Sequence, residues 1–105
     1  MKVLLDHCVP RPLLKHLQGF DVKTARAMRW DELDNGFLIA QAEAAFDVMI
    51  TADQNIRYQQ TLASRKLALI ILPTNYTPTV IALIPQIRAA LEVIQPGGWI
   101  EIAMP

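Results

Sequence analysis

Three short apolar runs constrain this chain more than any other feature. Val3-Leu4-Leu5, Val48-Met49-Ile50 and Leu67 to Leu72 are continuously hydrophobic rather than alternating. A strand with one wet face alternates apolar and polar residues, so a continuous run bounded by turns reads as a strand covered on both faces. Covered strands separated by helical pattern belong to a parallel sheet with helices on each side. Each of the first two runs leads into an aspartate, Asp6 directly after Leu5 and Asp53 shortly after Thr51. In an open α/β sheet the carboxyl ends of the strands border the ligand crevice. The fold class therefore predicts two carboxylates, carried on different strands, at one functional edge.

The 105 residues suit one domain, 1–105, and 52% hydrophobic content is enough for a core without covalent staples. A single cysteine, Cys8, excludes an internal disulfide framework and fits a reducing, cytoplasmic setting. The N-terminal apolar run is too short for a signal peptide, and no run has the length of a membrane span. Net charge is zero, which argues against a generically basic nucleic-acid binder. The distribution says more. Residues 1–29 carry six basic side chains against Asp6 and Asp21; residues 30–53 carry six acids and no Lys or Arg; the remainder is mildly basic. An acidic middle between basic flanks suits a metal pocket with a phosphate-contacting rim, although solvated helix faces produce the same pattern.

Along the chain, Lys2 to Leu5 reads as the first strand. Pro10 and Pro12 open a helix to about Leu17, since proline costs no hydrogen bond in a first turn, and Gly19 ends it. Asp21 to Thr24 reads as a second strand, followed by a weak helical turn over Ala25 to Met28. Asn35 caps a helix whose Leu38, Ile39, Ala42, Ala45 and Phe46 fall at helical spacing. Val48 to Thr51 is the third strand, and Asp53 caps a helix expected to reach about Arg65. Leu67 to Leu72 is the fourth strand and Pro73 to Pro78 a loop. Pro85 splits the next helical pattern into a turn over Thr79 to Leu83 and a helix from Pro85 to Ile94. Pro96-Gly97-Gly98 stops that helix, and Trp99 to Ile102 reads as an edge strand. The expected architecture is α/β: a mostly parallel sheet of about five strands with helices on both faces.

A carboxylate directly after a buried strand is costly to desolvate unless it is paired or bound to a cation. Asp6 is therefore the first candidate, with a capping role ahead of Pro10 as the structural alternative. Asp53 in Thr51-Ala52-Asp53-Gln54-Asn55 also reads as an ordinary helix cap. Together at one edge, the pair would make an acidic pocket for Mg²⁺ or Mn²⁺, with Asn35, Asp31, Glu32, Asp34 and Glu43 as candidates for a third ligand. The third ligand stays open: Glu43 lies about two turns into its helix, and Asn35 is closer but neutral.

The stretches Leu4-Leu5-Asp6-His7-Cys8-Val9-Pro10-Arg11, Met28-Arg29-Trp30, Asn35-Gly36, Thr51 to Gln60 and Ile71-Leu72-Pro73-Thr74-Asn75 resemble, in order, a small bacterial family of PIN-like domains. PIN domains are metal-dependent nucleases built on a parallel sheet, and many are the ribonuclease toxins of toxin–antitoxin pairs. The resemblance implies that Asp6 and Asp53 match the first-strand and third-strand acids of the PIN site. It further implies RNA as substrate and an antitoxin protein as partner. One position departs from the pattern: where relatives follow the Asn-Gly pair with glutamate, this chain has Phe37. That exchange weakens the catalytic expectation and leaves the fold expectation untouched.

Other side chains complete the reading. Arg11, Asn55 and Arg57 are candidates for contacts to a nucleic-acid backbone, with Tyr58 as a stacking surface; a surface arginine and a half-buried tyrosine are the alternative. His7, one residue past Asp6, could donate to phosphate or relay a proton near neutral pH, but as the residue after a strand it is expected to point away from Asp6. Cys8 is expected to act as a small buried hydrophobe, and Trp30 as a packing anchor. Leu67 to Leu72 and Trp99 to Ile102 would serve a homodimer or the core equally well. Two functions are compatible with these residues: a metal-dependent ribonuclease, or a catalytically degenerate domain that binds RNA or a protein without cutting. A phosphoacceptor receiver is disfavoured, since Asp6 is followed by His7 and no lysine follows Lys66. A haloacid-dehalogenase nucleophile is disfavoured because Cys8, not a second aspartate, stands two residues after Asp6.

Overall fold

Five strands form one all-parallel sheet in the computed structural model: β1 (Lys2–Leu5), β2 (Asp21–Thr24), β3 (Val48–Thr51), β4 (Ala68–Ile71) and β5 (Trp99–Glu101). The structure describes residues 1–30, 33, 35–58 and 66–105, with Asn35, Gly36, Arg57 and Tyr58 described only in their backbone. The strand order is β2-β1-β3-β4-β5. The chain thus steps from β1 outward to β2, then crosses back to lay β3 on the other side of β1. That reversal makes a topological switch point between β1 and β3, where doubly wound sheets open their ligand crevice.

The continuous apolar runs are covered on both faces. One layer contains Val3, Leu5, Val48, Ile50, Ala68 and Ile70 packed with Leu13, Leu17, Val80, Leu83, Ile87 and Leu91. The other contains Leu4, Met49, Leu69 and Ile71 packed with Leu38, Ile39, Ala42, Phe46 and Ile56. α1 (Asn35–Ala45) covers the second face, while α2 (Thr77–Ala82), α3 (Ile84–Val93) and the 3₁₀ helix Arg11–His16 cover the first. The side chains of β3 and β4 are buried at every position, as period-independent hydrophobicity demands. At the open edges, β2 and β5 alternate exposure instead, and the charged Asp21 and Lys23 of β2 discourage further strand pairing.

The expected parallel sheet of about five strands is present, and three local expectations need adjustment. The segment after Pro10 is a 3₁₀ helix, closed by Leu13 N–H to Pro10 O (3.1 Å) and Leu17 N–H to Leu14 O (3.3 Å). Two prolines so close together remove early donors, and six residues make no sustained α-helical ladder. The segment after Asp53 begins as a 3₁₀ helix over Gln54–Tyr58, and its expected continuation to Arg65 lies outside the described residues. Finally, α2 already starts at Thr77, because Pro78 is at home in a first turn and the loop is correspondingly shorter. Gly19 has φ +95°, the left-handed geometry that glycine adopts without strain, and it turns the chain from the first 3₁₀ helix into β2. Arg88 braces that turn: its Nη1 donates to His16 O (3.2 Å) and Gln18 O (2.9 Å), and the guanidinium lies over Phe20.

Candidate functional site

Parallel pairing sets Leu5 beside Ile50, so the next residues, Asp6 and Thr51, come level at the carboxyl edge. Alternation turns both side chains to the face of Leu4 and Met49. They meet there: Thr51 Oγ1 donates to Asp6 Oδ2 at 2.8 Å. The same Thr51 oxygen accepts the backbone N–H of Asp53 at 3.1 Å. One buried hydroxyl therefore links the first candidate carboxylate to the backbone of the second. Asp6 is 2% exposed and Thr51 fully buried, so this contact operates away from bulk water.

The other Asp6 oxygen is held locally. Oδ1 accepts the backbone N–H of His7 at 2.8 Å and lies 2.9 Å from His7 Nδ1. The imidazole folds back over Asp6, against the expectation that it points away; the strand has ended, and the turn closed by Val9 N–H to Asp6 O (3.0 Å) reverses the chain direction. Cys8 belongs to the same cluster. Its Sγ lies 3.6 Å from Asp6 Oδ2 and from Thr51 Oγ1, and it accepts the Ala52 N–H. Cys8 is thus half-buried with polar neighbours as well as an apolar packing face, and not merely a small hydrophobe. Burial first, and the Asp6 charge second, raise its thiol pKa above the ordinary value.

Asp53 is partly exposed and caps its own turn: Oδ1 accepts the N–H of Asn55 at 2.9 Å, and Asp53 O accepts from Ile56. Its expected capping role is present, and it sits on the β3 side of the switch point. Asn55 is exposed at this turn. Asn35 begins α1, and because α1 returns the chain to the start of β3, its first turn lies toward the carboxyl edge of the sheet. The side chains of Asn35 and Arg57 are outside the described residues, as are Asp31, Glu32 and Asp34. Glu43 lies at the opposite edge, where its Oε1 accepts the Lys66 N–H, which removes it as a partner for Asp6. Phe37 is 66% exposed on α1.

A cleft of about 290 Å³ opens on Asp6 from the β2 side, lined by His7, Val9, Arg11, Thr24, Arg26 and Ala27. Arg11, a candidate for backbone contacts, lies on the wall of this cleft. Arg26 was missed, since the position of the turn after β2 is set by a long-range bond, Ala25 N–H to Leu5 O (2.8 Å). Thr51 was missed for a related reason: only the β1–β3 register makes it a neighbour of Asp6. A larger depression of about 500 Å³, lined by Met1, Glu43, Phe46, Asp47 and Lys66 among others, lies at the amino edge of the strands. Its carboxylates accept backbone N–H groups, Asp47 from Lys2 and Glu43 from Lys66.

Carboxylate oxygens are the donors a hard divalent cation takes, but both Asp6 oxygens and Asp53 Oδ1 already accept hydrogen bonds from the chain itself. Magnesium is commonly held by one or two carboxylates together with waters and substrate oxygens, so Asp6 and Asp53 do not need a third protein carboxylate. Among the described residues no group of three or more His, Cys, Asp or Glu gathers at one point. No helix among them is long and apolar enough to cross a membrane. Comparison of the chain with protein-family models, curated proteins and solved structures returns no match.

Proposed function

We propose that this is a PIN-like, metal-dependent ribonuclease, acting in the cytoplasm on single-stranded RNA, and the toxin of a toxin–antitoxin pair. The observation that supports the reading is the Thr51 hydroxyl, which joins the Asp6 carboxylate after β1 to the backbone N–H of Asp53 after β3 at the switch point. Asp6 and Asp53 would hold Mg²⁺ or Mn²⁺, with Asn35 as a neutral oxygen donor. When bound, such an ion lowers the pKa of a coordinated water and offsets negative charge at the scissile phosphate. The chain's own groups do the rest. Thr51 fixes the Asp6 carboxylate by donating to Oδ2, and the His7 backbone N–H fixes Oδ1. Arg11, on the cleft rim, holds the RNA backbone, with Asn55 and Arg57 extending that contact past β3. The free Cys8 thiol is in keeping with a reducing compartment.

The test is Mn²⁺-dependent cleavage of an RNA pool by the wild type, Asp6→Asn and Asp53→Asn. Loss of activity in both variants, with folding intact by circular dichroism, supports the reading. Activity that survives both removes it. Two observations favour a second reading, a domain that binds RNA or a partner protein without cleavage: both Asp6 oxygens already have internal partners, and Phe37 stands where a carboxylate was expected. Calorimetric titration with Mg²⁺ and Mn²⁺ separates the two, since the degenerate domain takes up neither ion at millimolar concentration.

A further inference from the structure

Two of the chain's arginines line the cleft over Asp6, and neither has a structural task. Arg88 shows what an arginine with such a task looks like: two carbonyls and an aromatic ring occupy its guanidinium. Arg11 and Arg26 are exposed, and among the described residues neither makes an ion pair or donates a side-chain hydrogen bond. Their backbones are nevertheless held in place. Arg11 opens the 3₁₀ helix behind Pro10. Arg26 lies in a turn closed by Ala27 N–H to Thr24 Oγ1 (3.0 Å), Met28 N–H to Thr24 O (3.2 Å) and Arg29 N–H to Arg26 O (3.0 Å). His7 joins them on the cleft wall, and with Nδ1 against Asp6 its Nε2 is the ring nitrogen left to meet a ligand.

We infer that Arg26, together with Arg11 and His7, forms a phosphate seat that receives the backbone of a single RNA strand from the β2 side of Asp6. The inference rests on the ribonuclease reading and adds the side from which substrate enters and a positioning residue, Arg26. Planar guanidinium groups bind phosphate through paired N–H donors, and two of them outweigh the one buried carboxylate beneath. The cleft volume, about 290 Å³, suits one phosphate with its sugar rather than a duplex. Asp53 does not line this cleft, so substrate would lie across Asp6 with the attacked phosphate toward β3.

The experiment measures fluorescence anisotropy of a labelled single-stranded RNA of about 12 nucleotides across a KCl series in EDTA. The proteins compared are the wild type, Arg26→Ala, Arg11→Ala and Lys2→Ala. Lys2 removes the same charge from the opposite end of β1. Arg26→Ala and Arg11→Ala should each weaken binding about fivefold at low salt and lower the log–log salt slope by about one, while Lys2→Ala matches wild type. An Arg26→Ala affinity within twofold of wild type, an equal loss in Lys2→Ala, or no RNA binding by wild type would each overturn the seat. Cleavage in Mn²⁺ is scored in parallel. Asp6-dependent cleavage with Arg26-independent binding sinks only this inference; Arg26-dependent binding without any cleavage sinks only the catalytic reading.

Discussion

Replacing Thr51 with valine tests the link between the two aspartates. Valine keeps the shape and the strand preference of threonine, so the substitution removes little except the hydroxyl. That fully buried hydroxyl donates to the Asp6 carboxylate at 2.8 Å, accepts from the Asp53 amide at 3.1 Å and has a weaker contact to Cys8 Sγ at 3.6 Å. A hydrogen bond to a charged group contributes about 1.5–3 kcal/mol, and leaving the second donor short of its partner adds up to about 1 kcal/mol. The expected loss is therefore about 2–4 kcal/mol, a large share of the stability of a small domain. With a urea m-value of about 1.5 kcal/mol/M, the unfolding midpoint should fall by roughly 1.3–2.7 M. Thr51→Ser, which keeps the oxygen, should lose less than half of that. The assay is equilibrium urea unfolding followed by circular dichroism and by tryptophan fluorescence, with coincident transitions required. A Thr51→Val midpoint within roughly 0.3 M of wild type at unchanged m would show that the hydroxyl does not support the Asp6 carboxylate, and the linked-site argument would fail.

Two further outcomes are expected. Gly19→Ala should lower Tm by roughly 5–10 °C in a thermal scan: alanine at φ +95° costs about 1–2 kcal/mol, while its methyl would meet only Arg88 Nη2 at an ordinary 3.9 Å. Alkylation of Cys8 by iodoacetamide should go on rising with pH beyond the range of a free thiol, because burial and Asp6 both disfavour the thiolate. Since the folded thiol holds its proton more tightly than the unfolded one, its contribution to stability is complete below the ordinary thiol pKa and is lost as pH climbs through the raised value. Asp6→Asn should shift the alkylation profile toward lower pH, and an unchanged profile would separate Cys8 from the aspartate.

The sheet was legible because its strands carry their burial in the sequence. Val3-Leu4-Leu5, Val48-Met49-Ile50 and Ala68 to Ile71 are apolar at consecutive positions, a pattern that only a doubly covered strand requires. The placement of Asp6 at the carboxyl edge followed from the end of the first run. The hidden features depend on contacts between distant residues. Thr51 reaches Asp6 only through the β1–β3 register, and Arg26 joins the cleft only because the Ala25 amide is tied to Leu5. His7 defeated a strand-alternation argument because the strand had already ended. The 3₁₀ character of Arg11–His16 and Gln54–Tyr58 was equally out of reach, since α and 3₁₀ turns draw on the same local residues and differ in hydrogen-bond span.

The central claim, a shared cation seat between positions 6 and 53, is tested most directly by soaking crystals of the wild type and of Asp6→Asn in MnCl₂ and recording anomalous scattering at the manganese edge. The account predicts a peak within coordination distance of both the Asp6 and Asp53 carboxylates in wild type, absent from Asp6→Asn. A wild-type map without that peak at millimolar Mn²⁺, or with manganese bound only elsewhere, would contradict it.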